Sequence, residues 1–325
     1  MKLSYLAGAV AAATLALTGC GGSDGDSTKY SNVSFAVSDA PVDTAESVTV
    51  AFSQIELKKD DGTRVLLDVT PSDPNKDYEQ IDLLDYQGME SAVILTSEPV
   101  PVGVYKELIL LIYPEDGLNY VTQEGIQEPL KQPSNKLKLG SFEVSEQVDG
   151  TTQAFTIEFD LRKSLVERGT GAQNGYILKP HGVTIVDNAT SGSLSGDVTT
   201  SLYTTGGGCS EESSYSNSYV YLYKGFHDES NLVDLVDPLD PNFDDSGLLL
   251  PEAAVAPFAS APVSDANSYQ FGYLAPGEYT VAFSCKADGD DSIQYDGLTI
   301  PNPTGQLHEV TITAGNPSVQ DFGTL

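Results

Sequence analysis

Between Val33 and Phe322 the chain repeats one pattern: apolar residues alternate with polar ones at a period of two, in short runs that stop at clusters of Gly, Pro, Asp, Asn or Ser. Side chains two apart share a face only on an extended strand, so this spacing commits the chain to β structure. The runs VSFAV (33–37), VTVAFSQIEL (48–57), RVLLDV (64–69), YKELILLIY (105–113), LKLGSFEV (137–144), AFTIEFDL (154–161) and YILKPHGVTIV (176–186) carry it through the first half. LSGDVTTSLY (194–203), YVYLYK (219–224), SYQFGYL (268–274), EYTVAFSC (278–285) and HEVTIT (308–313) continue it. In AFTIEFDL, Phe155, Ile157, Phe159 and Leu161 are expected to face a core, with Thr156, Glu158 and Asp160 toward solvent. A helical period shows only in DLRKSLVERG (160–169), where Leu161, Leu165 and Val166 space one short turn. The expected class is all-β, two antiparallel β-sandwich domains.

Local signals refine this layout. In VTVAFSQIEL the apolar set shifts from Val48, Val50 and Phe52 to Ile55 and Leu57, a one-residue slip that predicts a β-bulge near Ser53. Asp60-Asp61-Gly62 allows positive φ and predicts a hairpin. Pro276-Gly277 is a type II turn signal.

A chain of 325 residues with 40% apolar content can bury two cores of ordinary size. The stretch NATSGS (188–193) is a polar joint, and beyond residue 190 Lys224 and Lys286 are the only basic residues. This shift places one domain at 32–189 and another at 190–325, the latter with an acidic, proline-rich insertion at 226–262. Overall, 16 basic residues stand against 47 acidic ones, a net charge of −31 that would repel nucleic acid as a partner.

The N-terminus reads as an address. Lys2 precedes the apolar segment LAGAVAAATLAL (6–17), too short to span a bilayer but of signal-peptide proportions. Leu17-Thr18-Gly19-Cys20 resembles the lipobox of bacterial lipoproteins, which implies a signal peptide at 1–19 and an acylated Cys20 as the first mature residue. Residues 20–31 then form a flexible tether, too poor in apolar surface to fold. Two or three acyl chains anchor firmly, at about 0.8 kcal/mol per buried methylene. The expected partner is thus the membrane, and Gly21 in the place after the cysteine directs the resemblance to the outer membrane of the cell envelope.

Within the first domain, VSDAPVDTAESVTVAFSQIELK (37–58), IDLLDYQG (81–88), PVGVYKELILLI (101–112), PSNKLKLGSFEV (133–144) and FDLRKSLVERGTGAQNGYILKP (159–180) follow one another as blocks of a bacterial lipoprotein family, domain-of-unknown-function family 4382. The resemblance implies export and lipid anchoring, and assigns no catalytic residue. His181 departs from an apolar position in that pattern. In the second domain, GYLAPGEYTVAFSC, an opening Gly196-Asp197-Val198 and a closing VTITAG (310–315) resemble transthyretin-like or carboxypeptidase-regulatory-like sandwiches, which implies a spacer or binding role.

With Cys20 acylated, Cys209 and Cys285 form an even pair in an oxidising compartment and are expected to be a disulfide closing about 77 residues. Asp234, Asp237, Asp240, Asp244 and Asp245 in the insertion offer oxygens for calcium, yet no calcium-loop motif is present and a solvated acidic loop is the plainer expectation. Tyr219, Tyr221 and Tyr223 share one face and either stack on a sugar or partner surface or pair with Tyr269, Phe271 and Tyr273 on a neighbouring strand. In SDAPVD (38–43), Asp39 and Asp43 are two oxygens where calcium wants six to eight, so Asp39 capping a turn is the simpler reading. His181, His227 and His308 carry no ligand spacing, and no hydrolase, phosphate-loop or dinucleotide motif appears. No cofactor other than calcium is implied. The sequence therefore points to a non-enzymatic lipid-anchored binding, adhesion or envelope-assembly module that contacts an envelope protein or carbohydrate. The alternatives are a carboxylate-dependent enzyme on glycans or peptides and a calcium-dependent surface protein.

Overall fold

The computed structural model describes residues 28–40, 45–148, 150–168, 175–210, 212, 215, 217–238, 243–244 and 246–323. The signal segment, Cys20, Asp43, Asp240 and Asp245 lie outside the described residues. Regular structure is nearly all β, and no described helix is long and apolar enough to cross a membrane.

In the first half, strand Tyr30–Ala40 lies between Thr152–Asp160 and Ala92–Pro101, and Val183–Asp187 extends the sheet beyond Thr152–Asp160. The facing sheet is organised on Ser47–Lys58, which pairs with Arg64–Asp68, Glu79–Asp82, Glu107–Ile112 and Tyr120–Gln123. The period-two residues decide what is packed between them: Phe35 and Val37 meet Phe155, Ile157 and Phe159 from one sheet and Val48, Val50 and Phe52 from the other. Phe35 stacks on Phe155 with centroids 5.3 Å apart. The slip at Ser53 is a bulge, since Phe52 pairs with Ile112 while Gln54 pairs with Leu111. Asp60-Asp61-Gly62 closes the hairpin between Lys58 and Arg64, with Gly62 at φ 89°. Three pairings among the described strands depart from the antiparallel expectation: Tyr30–Ala40 with Thr152–Asp160, Ile126–Lys131 with Tyr176–Leu178, and Gly192–Asp197 with Pro317–Val319 run parallel.

The second half has its own core, from Leu194 to Phe322. Gly192–Asp197 lies between Ser268–Leu274 and Pro317–Val319 in one sheet. Tyr219–Lys224 lies between Ala259–Pro262 and Gly277–Ser284 in the other, with Leu307–Ile312 outermost. Cys209 and Cys285 are joined by a disulfide with Cα atoms 6.0 Å apart. Pro276-Gly277 carries the chain from one sheet to the other, with Gly277 at φ 159° rather than in the type II conformation.

Three expectations are corrected here. Tyr219, Tyr221 and Tyr223 are buried and offer no surface to a sugar, and their cross-strand partners are Ser284, Ala282 and Thr280, not the strand Ser268–Leu274. These small partners leave room above the sheet, and the insertion fills it: Leu232 and Leu235, with Ala287 and Ile300, pack on the tyrosine rings as a further apolar cluster. The start of the insertion is thus folded rather than a solvated acidic loop, because its leucines and valines, interleaved with acids, have a large aromatic face to cover. The helical turn at Leu161–Ser164 also ends two residues early, since Leu165 and Val166 enter the strand Leu165–Glu167.

Candidate functional site: a cleft between two β bodies

The turn Leu161–Ser164 ends strand Thr152–Asp160 and does two things at once. Leu161 enters the first core, whereas Arg162 and Lys163 reach into the second half. Arg162 donates to Ser260 Oγ at 3.1 Å and to the Asp290 carbonyl at 3.1 Å, and lies 4.8 Å over the Tyr219 ring. Lys163 Nζ donates to the carbonyls of Phe258 (2.6 Å) and Pro257 (3.1 Å). On the other side, Tyr273 donates its hydroxyl to the Met89 carbonyl at 3.0 Å. Gly272 sits so near Gly88 that a Cβ there would stand 1.9 Å from the Gly88 carbonyl oxygen, so only glycine fits the approach.

Between these two seams lies a cleft of about 280 Å³. Glu158, Asp160 and Thr184 line it from the first body, and Phe258, Tyr273 and Leu274 from the second. The face expected to meet solvent therefore forms a wall of this cleft instead, and Thr156 on the same face is buried outright. Asp39, at the end of the core face of its strand, is fully buried with no hydrogen-bond partner on either carboxylate oxygen, so it does not cap a turn. Burial, reinforced by the charges of Glu158 and Asp160, raises its pKa well above the ordinary carboxylate range. Burial likewise lifts Glu158 to about 8, and its Oε2 has no partner. The Ser38 hydroxyl opposes that rise but does not outweigh burial, and it also lies 2.7 Å from the Glu90 carbonyl and 3.2 Å from the Tyr86 carbonyl. At neutral pH Glu158 thus presents a protonated carboxyl to the cleft, able to donate as well as accept a hydrogen bond.

Among the described residues, the expected calcium ligands Asp234, Asp237 and Asp244 are not gathered into one set. Asp237 faces His181, whose Nε2 is 2.8 Å from Asp237 Oδ2, and Asp244 caps its own turn through Ser246 N (2.9 Å) and Oγ (2.6 Å). Asp234 is fully buried, and burial lifts its pKa to about 7.

The sequence blocks that build the first body and its Arg162–Lys163 arm are those a family comparison matches. Residues 30–180 match DUF4382, a domain of unknown function. The matched segment contributes Asp39, Glu158, Asp160 and Lys163 to the cleft, while Thr184 and the whole opposite wall lie beyond it. No curated protein matches the sequence. Solved structures similar to it include the Bacillus anthracis TIE protein, at 10% identity and TM-score 0.19 over 90% of this chain and 34% of that one. They also include a candidate cell adhesion protein from Parabacteroides distasonis, at 9% identity and TM-score 0.19 over 88% and 99% of the two chains. The minor pilin of Streptococcus agalactiae is similar at 9% identity and TM-score 0.20 over 89% and 94%. The chain spans about a third of the length of the TIE protein.

Sequence reasoning missed Glu158 and Arg162 as site residues, and weighed Asp39 only as a calcium ligand or a turn cap. The one available signal was two acids, Glu158 and Asp160, on the polar face of an otherwise apolar strand.

Proposed function

We propose that the protein is a lipid-anchored envelope protein, held at the outer membrane through acylated Cys20, and that it works as a non-enzymatic binding or adhesion module. The inter-body cleft is the observation that carries this reading: an apolar and aromatic wall faces a protonated carboxyl whose Oε2 has no partner. Such a surface suits a neutral ligand rich in hydroxyl or amide groups, the chemistry of a glycan or peptide segment of the envelope. The strand that opens at Tyr30 shortens the expected tether to ten residues, 20–29, which would let the bodies reach about 35 Å from the anchor. The resemblance of 272–285 to transthyretin-like sandwiches supports a binding or spacer role for the second body.

The same carboxyl groups favour a second reading, an acid–base enzyme on glycans or peptides, because raised pKa values gather at reaction centres. A glycosidase, however, needs one carboxyl protonated and its partner ionised. Here burial lifts both Asp39 and Glu158, and the third carboxyl, Asp160, is engaged by the Lys163 ammonium at 3.5 Å rather than free to act as base or nucleophile. The binding reading therefore stands ahead.

A photoreactive amino acid at Gln270, on the cleft wall, tests it in cells. The expected result is a crosslink to an envelope component, lost when Thr184→Trp fills the cleft, and release of the protein from the membrane fraction by Cys20→Ser. Crosslinking indifferent to the filled cleft, or glycan or peptide turnover abolished by Glu158→Gln, would overturn the proposal.

A further inference from the structure

We propose that Asp234, Asp290 and Asp296 form a calcium site beneath the insertion, on the side of the tyrosine stripe. One carboxylate oxygen from each lies within 4.8 Å of the others. A single calcium ion, which sits about 2.3–2.6 Å from each oxygen, spans that separation.

Three acids alone are not a site, and the second observation is the state of Asp234. It is fully buried; Oδ2 accepts the Leu298 N–H at 2.6 Å, while Oδ1 has no partner. An orphaned carboxylate oxygen in the interior is costly, and a cation bound among the three acids removes the cost. The other two carboxylates are held in place from behind. Asp290 accepts the Tyr221 hydroxyl at 2.6 Å and the Leu235 N–H at 3.1 Å, and Asp296 accepts the Asp291 N–H at 2.7 Å. These bonds orient the groups and leave lone pairs for a ligand. The nearby Arg162 guanidinium, 3.8 Å from Asp290 Oδ2, offsets one of three negative charges and is already committed to Ser260 and the Asp290 carbonyl. An all-oxygen, net negative donor set selects a hard divalent cation, and donors carried on loops suit calcium's variable geometry better than magnesium's strict octahedron. The ion would bind the buried start of the insertion to the loop around Asp290 and Asp296.

The test uses the full-length chain stripped with chelator. Calorimetric titration with calcium chloride is expected to give one ion per chain, with Kd of about 10⁻⁴–10⁻³ M, the range of extracellular modules. Terbium gives a second readout: the chain has no Trp, and Tyr221 is bonded to one of the ligands, so tyrosine-excited terbium emission should appear and be displaced by calcium. Asp296→Asn, which keeps the acceptor for Asp291, should weaken binding on the order of tenfold or more, and Asp234→Asn likewise. Asp244→Asn, in the surface turn, should leave it unchanged. Neither heat nor emission from folded protein sinks the proposal, as do Asp296→Asn titrating like the parent or weakening seen only with Asp244→Asn.

Discussion

At the scale of single residues, the carboxyl of Glu158 sets how the fold responds to pH. Its pKa rises from 4.5 in the open chain to about 8 in the folded state, so the folded state holds a proton that the unfolded chain has lost. Stability therefore falls as pH rises from 4.5 through 8, the reverse of an ion-paired carboxylate, and Asp39 acts in the same direction. Glu158→Gln, which mimics the protonated form, should be nearly neutral at pH 4.5 and stabilise by about 3 kcal/mol at pH 7, at ~1.4 kcal/mol for each tenfold difference in proton affinity between the folded and unfolded chain. Urea unfolding at the two pH values measures this, and equal effects at both would show that the side chain is not a buried acid.

At the scale of elements, the insertion is the informative piece. Leu235 is buried against the tyrosine stripe, so Leu235→Ala should cost about 2–5 kcal/mol. Limited proteolysis should then cut first within the insertion, where the parent resists. Strands were legible because alternation survives in a local window: the slip at Ser53 and the hairpin at Gly62 both stand in the structure as the side-chain order implies. The folded start of the insertion was not, because Leu232, Val233, Leu235 and Val236 are interleaved with acids and lack a period of two. Their partners, Tyr221 and Tyr223, were legible as a stripe but not as covered, since the covering segment only shows itself once the sheet exists. The acid cluster was illegible for a related reason: Asp290 and Asp296 are remote in sequence from Asp234 and become its neighbours only in the folded chain.

At the scale of the whole molecule, two devices hold the parts together. The Cys209–Cys285 bond closes about 77 residues, and replacing both with serine should cost roughly 4 kcal/mol from the chain entropy regained on unfolding. Reducing and non-reducing thermal melts read that directly. Arg162 is the other device. Its side chain is nearly buried against Asp290, so Arg162→Ala should cost about 3–5 kcal/mol by leaving an acid uncompensated. The same variant should enlarge the radius of gyration in small-angle scattering as the bodies part; an unchanged profile would show that the other seam suffices. The arm that bridges the two cores reads in sequence only as one helical turn, because its partners Ser260 and Asp290 lie about a hundred residues further along the chain.

The near-touch of Gly88 and Gly272 makes the spacing of the bodies adjustable by one atom. A single added methyl at residue 272 would act as a shim, prising the jaws apart on that side while the arginine arm hinges the other. Gly272→Ala is thus a way to dial the aperture of the molecule by adding one carbon at the cleft's own rim while leaving its carboxyl groups and aromatic wall as they are, and a graded series of bulkier residues there would turn aperture into an experimental variable.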